Sequence, residues 1–350
     1  MRFYLVFAVL ALCLRPNFAI ATSSLAEDQT AARVLVYFMV GRDETPEANV
    51  TREQFLSHLQ ALKNGGYTVL SLNQITQAYE TGAVLPDNTV AITFDGGDKS
   101  IVKHAVPLLE EYEFPYTVFI STDRVDANDP RYLNWDDLKK INHSPLGTIG
   151  LHPQSYSSIG FDTTQVIRKS VNNATSRLRE KLAINADYFA YPFGEYNSDY
   201  PKVIQEYHFK ATFGQHSGVA YQSDAPLPLP RFTMTEDYAN LDRFRMILNS
   251  LPLPVSDVTP TVSQITTSNP AIGFSVPEII EEDLARLSCF VSGQGKPLLN
   301  IIGNRVEIRL PSPTTEDRFR INCTLPENSE NEEKTTRWRW FGQLYSVTEP

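Results

Sequence analysis

A chain of 350 residues is too long for one ordinary domain and comfortable for one large domain beside a smaller one. Its 42% hydrophobic and 21% charged residues supply a sizeable core, which argues against a disordered chain. The net charge of −10 leaves no basic face on which a nucleic acid could shed its counterions, so the acidity reads as solubility.

The first stretch, "MRFYLVFAVLALCLRPNFAIA", sets Arg2 before an apolar run and ends on Ala19-Ile20-Ala21, the small-x-small pattern of a signal-peptidase site. Residues 1–21 are expected to be a signal peptide, with the mature chain starting near Thr22 and secreted or periplasmic. Arg15 and Pro16 break the run short of the ~20 apolar residues a span needs, and no later segment is long and apolar enough for one. Beyond Cys13 only Cys289 and Cys323 remain, and in an exported chain an even pair reads as a disulfide, a buried reduced pair being the alternative.

From about residue 33 to 250 strand-like runs alternate with amphipathic helices. "RVLVYFMV" precedes "TREQFLSHLQALKNGG", where Thr51 and Gln54 form a capping box and Gly65 the stop. "YTVLSL" precedes a helix from Asn73 to near Gly82, "NTVAITFD" a helix through Val106 and Tyr112, and "YTVFIS" the helix "NWDDLKKI". "GTIGLH" precedes a long helix from about Thr164 to Leu182, "YFAYPF" precedes "YPKVIQEYHF", and "KATFG" leads to "PLPRFTM". Continuous apolar strands with helices between them argue a parallel sheet, and seven or eight such units a closed or nearly closed β/α barrel over residues 22–251.

Residues 252–272, punctuated by Pro252, Pro254, Pro260 and Pro270, read as a linker. Beyond it "RLSCFV", "NRVEIRL", "RFRINC" and "RWRWFGQL" alternate in the manner of strands, so residues 273–350 are expected to form a small all-β, sandwich-like domain whose partner the sequence leaves open. Trp338 and Trp340 are expected in its core with Arg337 and Arg339 facing water, a sugar-stacking role being the alternative.

In such a barrel the site forms at the C-terminal strand ends. Those ends carry Asp95 and Asp98, His152, the run Tyr191, Pro192, Phe193, Gly194 and Glu195, and His216. Each alone has a plain structural reading: Asp98 as a helix cap, His152 or His216 as a loop histidine bonded to a backbone carbonyl. Their convergence on one rim is what points to chemistry.

The segment "AITFDGGDKSIVKHAVPLLEEYEFPYTVFIST" resembles the first motif region of the polysaccharide deacetylases, the NodB-homology or carbohydrate esterase family four group. "GTIGLHPQSY" sits where that family carries its histidine motif, and "FAYPFGEYN" and "LPRFTM" resemble later motifs, the last bringing Arg231 into the substrate groove with residues 191–195. The resemblance covers about residues 33 to 250 and implies a distorted barrel that removes acetyl groups from N-acetylated, or O-acetylated, sugars of a polysaccharide or oligosaccharide. It also implies a divalent metal, zinc or similar, held by an aspartate and two histidines, with an aspartate as base and a histidine as acid.

The chain departs from that pattern. Asp95 matches the base and His152 the first histidine ligand, but Gly96 stands at the aspartate ligand, Pro153 replaces a hydroxyl residue and Tyr156 stands at the second histidine. Asp98 and Tyr156 are candidates to complete a metal shell with His152, and His216 is the candidate acid. The leading reading is an exported deacetylase-like hydrolase with an altered metal site; a catalytically inactive relative that binds glycan is the alternative.

Overall fold

The structure is a computed structural model that describes residues 25–42, 44–158, 162–223, 227–327 and 337–348. The expected signal peptide, residues 1–21, lies outside the described residues. Among the described residues no helix is long and apolar enough to cross a membrane.

Eight parallel strands form the large sheet: β1 (Arg33–Tyr37), β2 (Thr68–Val69), β3 (Thr89–Asp95), β4 (Tyr116–Ile120), β5 (Gly147–Leu151), β6 (Tyr188–Ala190), β7 (Ala211–Phe213) and β8 (Phe232–Thr233). Seven of them run in the order β8-β1-β3-β4-β5-β6-β7, with β2 paired to the first residues of β3. Leu229 exchanges hydrogen bonds with Thr212 and Gly214, so the chain entering β8 reaches back to β7 and the sheet curls into a distorted barrel. Every residue of β1, β3 and β4 is buried, as expected of strands covered on both faces.

Strand parity decides what reaches the barrel interior. Val90, Ile92 and Phe94 pack outward with Phe55 and Leu59 of the helix Arg52–Asn64, whose capping box at Thr51 and Gln54 forms as the sequence indicates. The intervening Ala91, Thr93 and Asp95 therefore point inward. Phe119 of β4 and Phe213 of β7 meet across the interior with ring centroids 5.6 Å apart. Asp95 ends β3, so its carboxylate sits at the inner C-terminal rim, and Gly96 and Gly97 follow with φ of +85° and +68°, a region that suits glycine.

Beyond the barrel a five-stranded sheet centred on Trp338–Val347 and Arg318–Pro326 faces a four-stranded sheet of Ser256–Thr259, Ile272–Ser275, Arg305–Arg309 and Leu298–Ile302. Phe274, Val306 and Ile308 of one pack with Phe319, Ile321 and Tyr345 of the other. Cys289 and Cys323 are bonded and lie directly opposite on paired antiparallel strands.

Residues 252–272 are not a free linker: Leu251–Pro252 and Gln264–Ile265 add parallel strands to Trp338–Val347, and Ser256–Thr259 joins the other sheet. The tryptophans do not fill the sandwich core. Trp340 packs edge-on against Phe232 at the barrel, 5.3 Å between centroids, while Arg339 is buried in ion pairs with Asp28 and Glu327. The alternation of the strand is as expected, but the face that meets the barrel takes the ring and the opposite face takes the guanidinium.

Candidate active site

The inner rim brings Asp95 and His152 together, with Asp95 Oδ1 3.8 Å from His152 Nε2 and both side chains buried. Arg231 lies beneath them and donates Nη1 to Asp95 Oδ1 at 2.7 Å and Nη2 to Oδ2 at 2.6 Å. Two parallel charge-assisted bonds fix the carboxylate plane. Gln215 covers the pair from the other side, donating Nε2 to Asp95 Oδ2 at 3.0 Å and to the Tyr156 hydroxyl at 3.3 Å.

The protonation of His152 follows from its neighbours. Nδ1 is 2.7 Å from the Ala190 carbonyl oxygen, which can only accept, so Nδ1 carries the proton. Burial pulls the imidazole pKa down to about 4, with Asp95 opposing the shift and Arg231 and Arg124 reinforcing it. The ring is therefore neutral near pH 7, and Nε2, which has no hydrogen-bond partner among the described residues, presents a lone pair toward the carboxylate.

Arg124 is a member of the site that the sequence did not point out. It comes from the short helix Thr122–Asp126 after β4, and its Nη1 donates to the Gly96 carbonyl at 3.2 Å. Its guanidinium lies over the rings of Tyr156 at 4.5 Å and Tyr132 at 4.9 Å. A Cβ at Gly96 would come within 3.1 Å of Nη1, so the cation fills the space into which a side chain at residue 96 would project.

The remaining candidates scatter. Asp98 is buried, but its carboxylate accepts from Arg42 Nη1 at 3.2 Å and from the Ser100 backbone N–H at 2.8 Å. Arg231, expected in the substrate groove, is fully buried under Asp95. Tyr191 faces outward into a ring cluster with Phe189, Tyr196 and Tyr200, and Pro192 is buried beside it. Phe193 alone of that run reaches the site, its ring 4.7 Å from that of Tyr156. Gly194 lets the chain pass against Gln215: a Cβ there would stand 2.5 Å from the Gln215 backbone nitrogen. Glu195 is ion-paired with Arg318 from the C-terminal sheet and accepts from Ser158. His216 lines a cavity of about 360 Å³ beside Trp340 that neither Asp95 nor His152 lines, and burial holds its pKa at about 4.

A divalent ion needs several anionic or imidazole donors, and these residues do not fit one. His152 Nε2 is a competent ligand. Both Asp95 oxygens are bonded to Arg231, the Tyr156 phenol is kept protonated by burial and by Asp95, and Gly96 offers no side chain. Among the described residues no three His, Cys, Asp or Glu side chains are grouped so as to hold a metal ion.

A cleft of about 660 Å³ lies between the barrel and the C-terminal sheet, lined by Gln215 together with Tyr238, Arg243, Phe290, Arg320 and Trp338. Gln215 therefore touches both this cleft and Asp95.

Residues 83–212 match the family model for polysaccharide deacetylase. The chain is 24% identical over 213 residues to the poly-beta-1,6-N-acetyl-D-glucosamine N-deacetylase of Staphylococcus aureus (strain MSSA476), covering 58% of this chain and 73% of that protein. For the Staphylococcus epidermidis protein of the same name the identity is 26% over 219 residues, with the same coverage. Among solved structures, the Streptococcus pyogenes deacetylase PplD in complex with acetate superposes with a TM-score of 0.57 at 20% identity, over 62% of this chain and 98% of that one. IcaB from Ammonifex degensii gives 0.56 at 22%, over 62% and 97%.

Proposed function

Because the chain carries a polysaccharide deacetylase domain, we propose that it hydrolyses acetyl groups from an N-acetylated, or O-acetylated, polysaccharide outside the cytoplasm, with Asp95 and His152 as the working pair. The observation that carries this reading is the approach of Asp95 Oδ1 to within 3.8 Å of the partnerless Nε2 of His152. Both atoms are hydrogen-bond acceptors. A water admitted beside them when Gln215 swings aside points its protons at the two acceptors and its oxygen lone pairs toward an entering acetyl carbonyl. Attack forms the carbon–oxygen bond while Nε2 takes the water's proton; collapse breaks the carbon–nitrogen bond as the same proton passes to the leaving nitrogen, giving acetate and a free amine. Asp95, held through both oxygens by Arg231, steadies the imidazolium that forms in between.

The aromatic faces of Tyr238, Phe290 and Trp338 suit the C–H faces of sugar rings, and Arg243 and Arg320 suit their hydroxyls. Gln215 lines this cleft and bonds Asp95, so a sugar bound against it is one side chain away from the pair. The names of the staphylococcal relatives make poly-β-1,6-N-acetylglucosamine the first substrate to try.

A second reading, glycan binding without hydrolysis, is favoured by one observation: Gln215 and Tyr156 close over Asp95 and His152, which are 1% and 0% exposed. Acetate release from the polysaccharide and from chito-oligosaccharides, measured with chelator and with added divalent ions, separates the two. The hydrolase reading expects release that falls at least a hundredfold in His152→Gln. Saccharide binding with no release under any condition selects the second, and neither binding nor release overturns both.

A further inference from the structure

We infer that the guanidinium of Arg124 takes the place of the divalent cation, so that the site is complete in positive charge and closed to a metal ion. In the family pattern an aspartate at residue 96 and a divalent ion together contribute one net positive charge. Here Gly96 and Arg124 contribute the same net charge with no ion at all. The two departures are coupled by geometry: Arg124 Nη1 sits 3.1 Å from where a Cβ at residue 96 would be, and the third departure, Tyr156, supplies the ring on which the guanidinium rests. A histidine at 156 would replace a stacking face with a group that is itself cationic when protonated; a carboxylate at 96 would project into the cation. Each substitution that removes a metal ligand therefore makes room or support for Arg124.

Charge bookkeeping gives the cation a task. Arg231 is matched by Asp95, to which it is bonded through both oxygens. Among the described residues no carboxylate pairs with the Arg124 guanidinium, which contacts a backbone carbonyl and two phenol rings. Asp95 and Arg231 cancel, which leaves Arg124 as the uncompensated charge beside the buried Asp95 and His152. A fixed positive charge of this kind stabilises an oxyanion where it develops, and in a low-dielectric site it does so without solvent reorganisation. On the deacetylase reading, on which this role rests, the oxyanion is that of the tetrahedral intermediate. The exclusion of metal does not depend on that reading.

Two experiments divide these parts. In the first, zinc binding is measured by equilibrium dialysis on the native chain, on Gly96→Asp/Tyr156→His, and on the same pair combined with Arg124→Met. Melting curves confirm that each chain is folded. The native protein is expected to bind no stoichiometric zinc through His152, the triple variant about one equivalent, and the double variant at least tenfold more weakly than the triple. Stoichiometric binding to the native chain that His152→Gln removes, equal binding by the double and triple variants, or no binding by a folded triple variant overturns the inference. In the second, Arg124→Met is expected to lower kcat at least a hundredfold with little change in KM, and Arg124→Lys to recover part of it, in buffer with chelator. A native chain that binds no zinc yet releases no acetate leaves the metal exclusion standing and removes the deacetylase reading. Release that Arg124→Met leaves unchanged removes the role assigned to the cation.

Discussion

The two halves of the rim follow different rules. On the side built by β3 and β8, Asp95 and Arg231 form a buried pair with both carboxylate oxygens satisfied, the arrangement that low-dielectric surroundings demand of a charge. On the side built by the loops after β4 and β5, Arg124 has no carboxylate on its guanidinium among the described residues and leans on rings and a carbonyl. The first half holds a charge in place; the second leaves one available. A fold can keep the first arrangement while the second is rebuilt, because only the first is wedged into the barrel interior.

The largest effect expected from breaking this contrast lies in the first half. Arg231→Leu leaves the Asp95 carboxylate buried without its counter-ion and should destabilise the protein by roughly 3–5 kcal/mol. Chemical denaturation measures it, and Asp95→Asn in the same chain should restore part of the loss, since a neutral amide is less costly to bury. A loss below about 1 kcal/mol in Arg231→Leu would mean that water reaches the pair.

The next effect is a pH dependence. Burial depresses His58, His152 and His216 to a pKa of about 4 from 6.5. Because the folded values lie below the unfolded one, the unfolded chain binds more protons between pH 6.5 and 4, and stability is full above 6.5 and is lost as pH falls toward 4. Each histidine contributes roughly 3 kcal/mol to that loss. His152→Phe should flatten the slope of unfolding free energy against pH by about a third. An unchanged slope would mean that His152 is protonated in the folded protein and pairs with Asp95 as a cation, which would take away the base.

How far the rim can be read from the sequence depends on strand parity. Asp95 was legible because three inward positions, Ala91, Thr93 and Asp95, run to the end of a continuous apolar strand, and His152 because it directly follows another. The same rule carried one step further separates His216 from Gln215. Phe213 points inward, so Gln215 shares its side and His216 does not, and it is Gln215 that reaches Asp95. Tyr191 likewise follows Phe189 to the outer cluster. The residue type drew attention to histidine and tyrosine, while the geometry favoured the less reactive neighbour. Arg124 carried no such signal: it sits in a five-residue helix, and only the tertiary approach of that helix to Gly96 brings it to the site. The barrel itself was legible from the alternation of strands and helices. The parallel strands at 251–252 and 264–265 were not, since their pairing partner, Trp338–Val347, lies at the other end of the C-terminal region.

The smallest stability effect is expected at Arg124, and its smallness is the point. Arg124→Met gives up the hydrogen bond to the Gly96 carbonyl and two cation–ring contacts, the latter each worth about 0.5–1 kcal/mol at a partly exposed position. Against this, the methionine keeps contact with both rings through its thioether. The two effects oppose, so the net change should lie within about 2 kcal/mol. The hundredfold fall in kcat expected for the same variant corresponds to about 2.7 kcal/mol of transition-state stabilisation. A residue kept for folding shows the reverse ratio, as Arg231 should. If Arg124→Met instead lowered stability by several kcal/mol and rate in proportion, the two halves of the rim would be doing one job, and Arg124 would be a strut between Gly96 and the tyrosines.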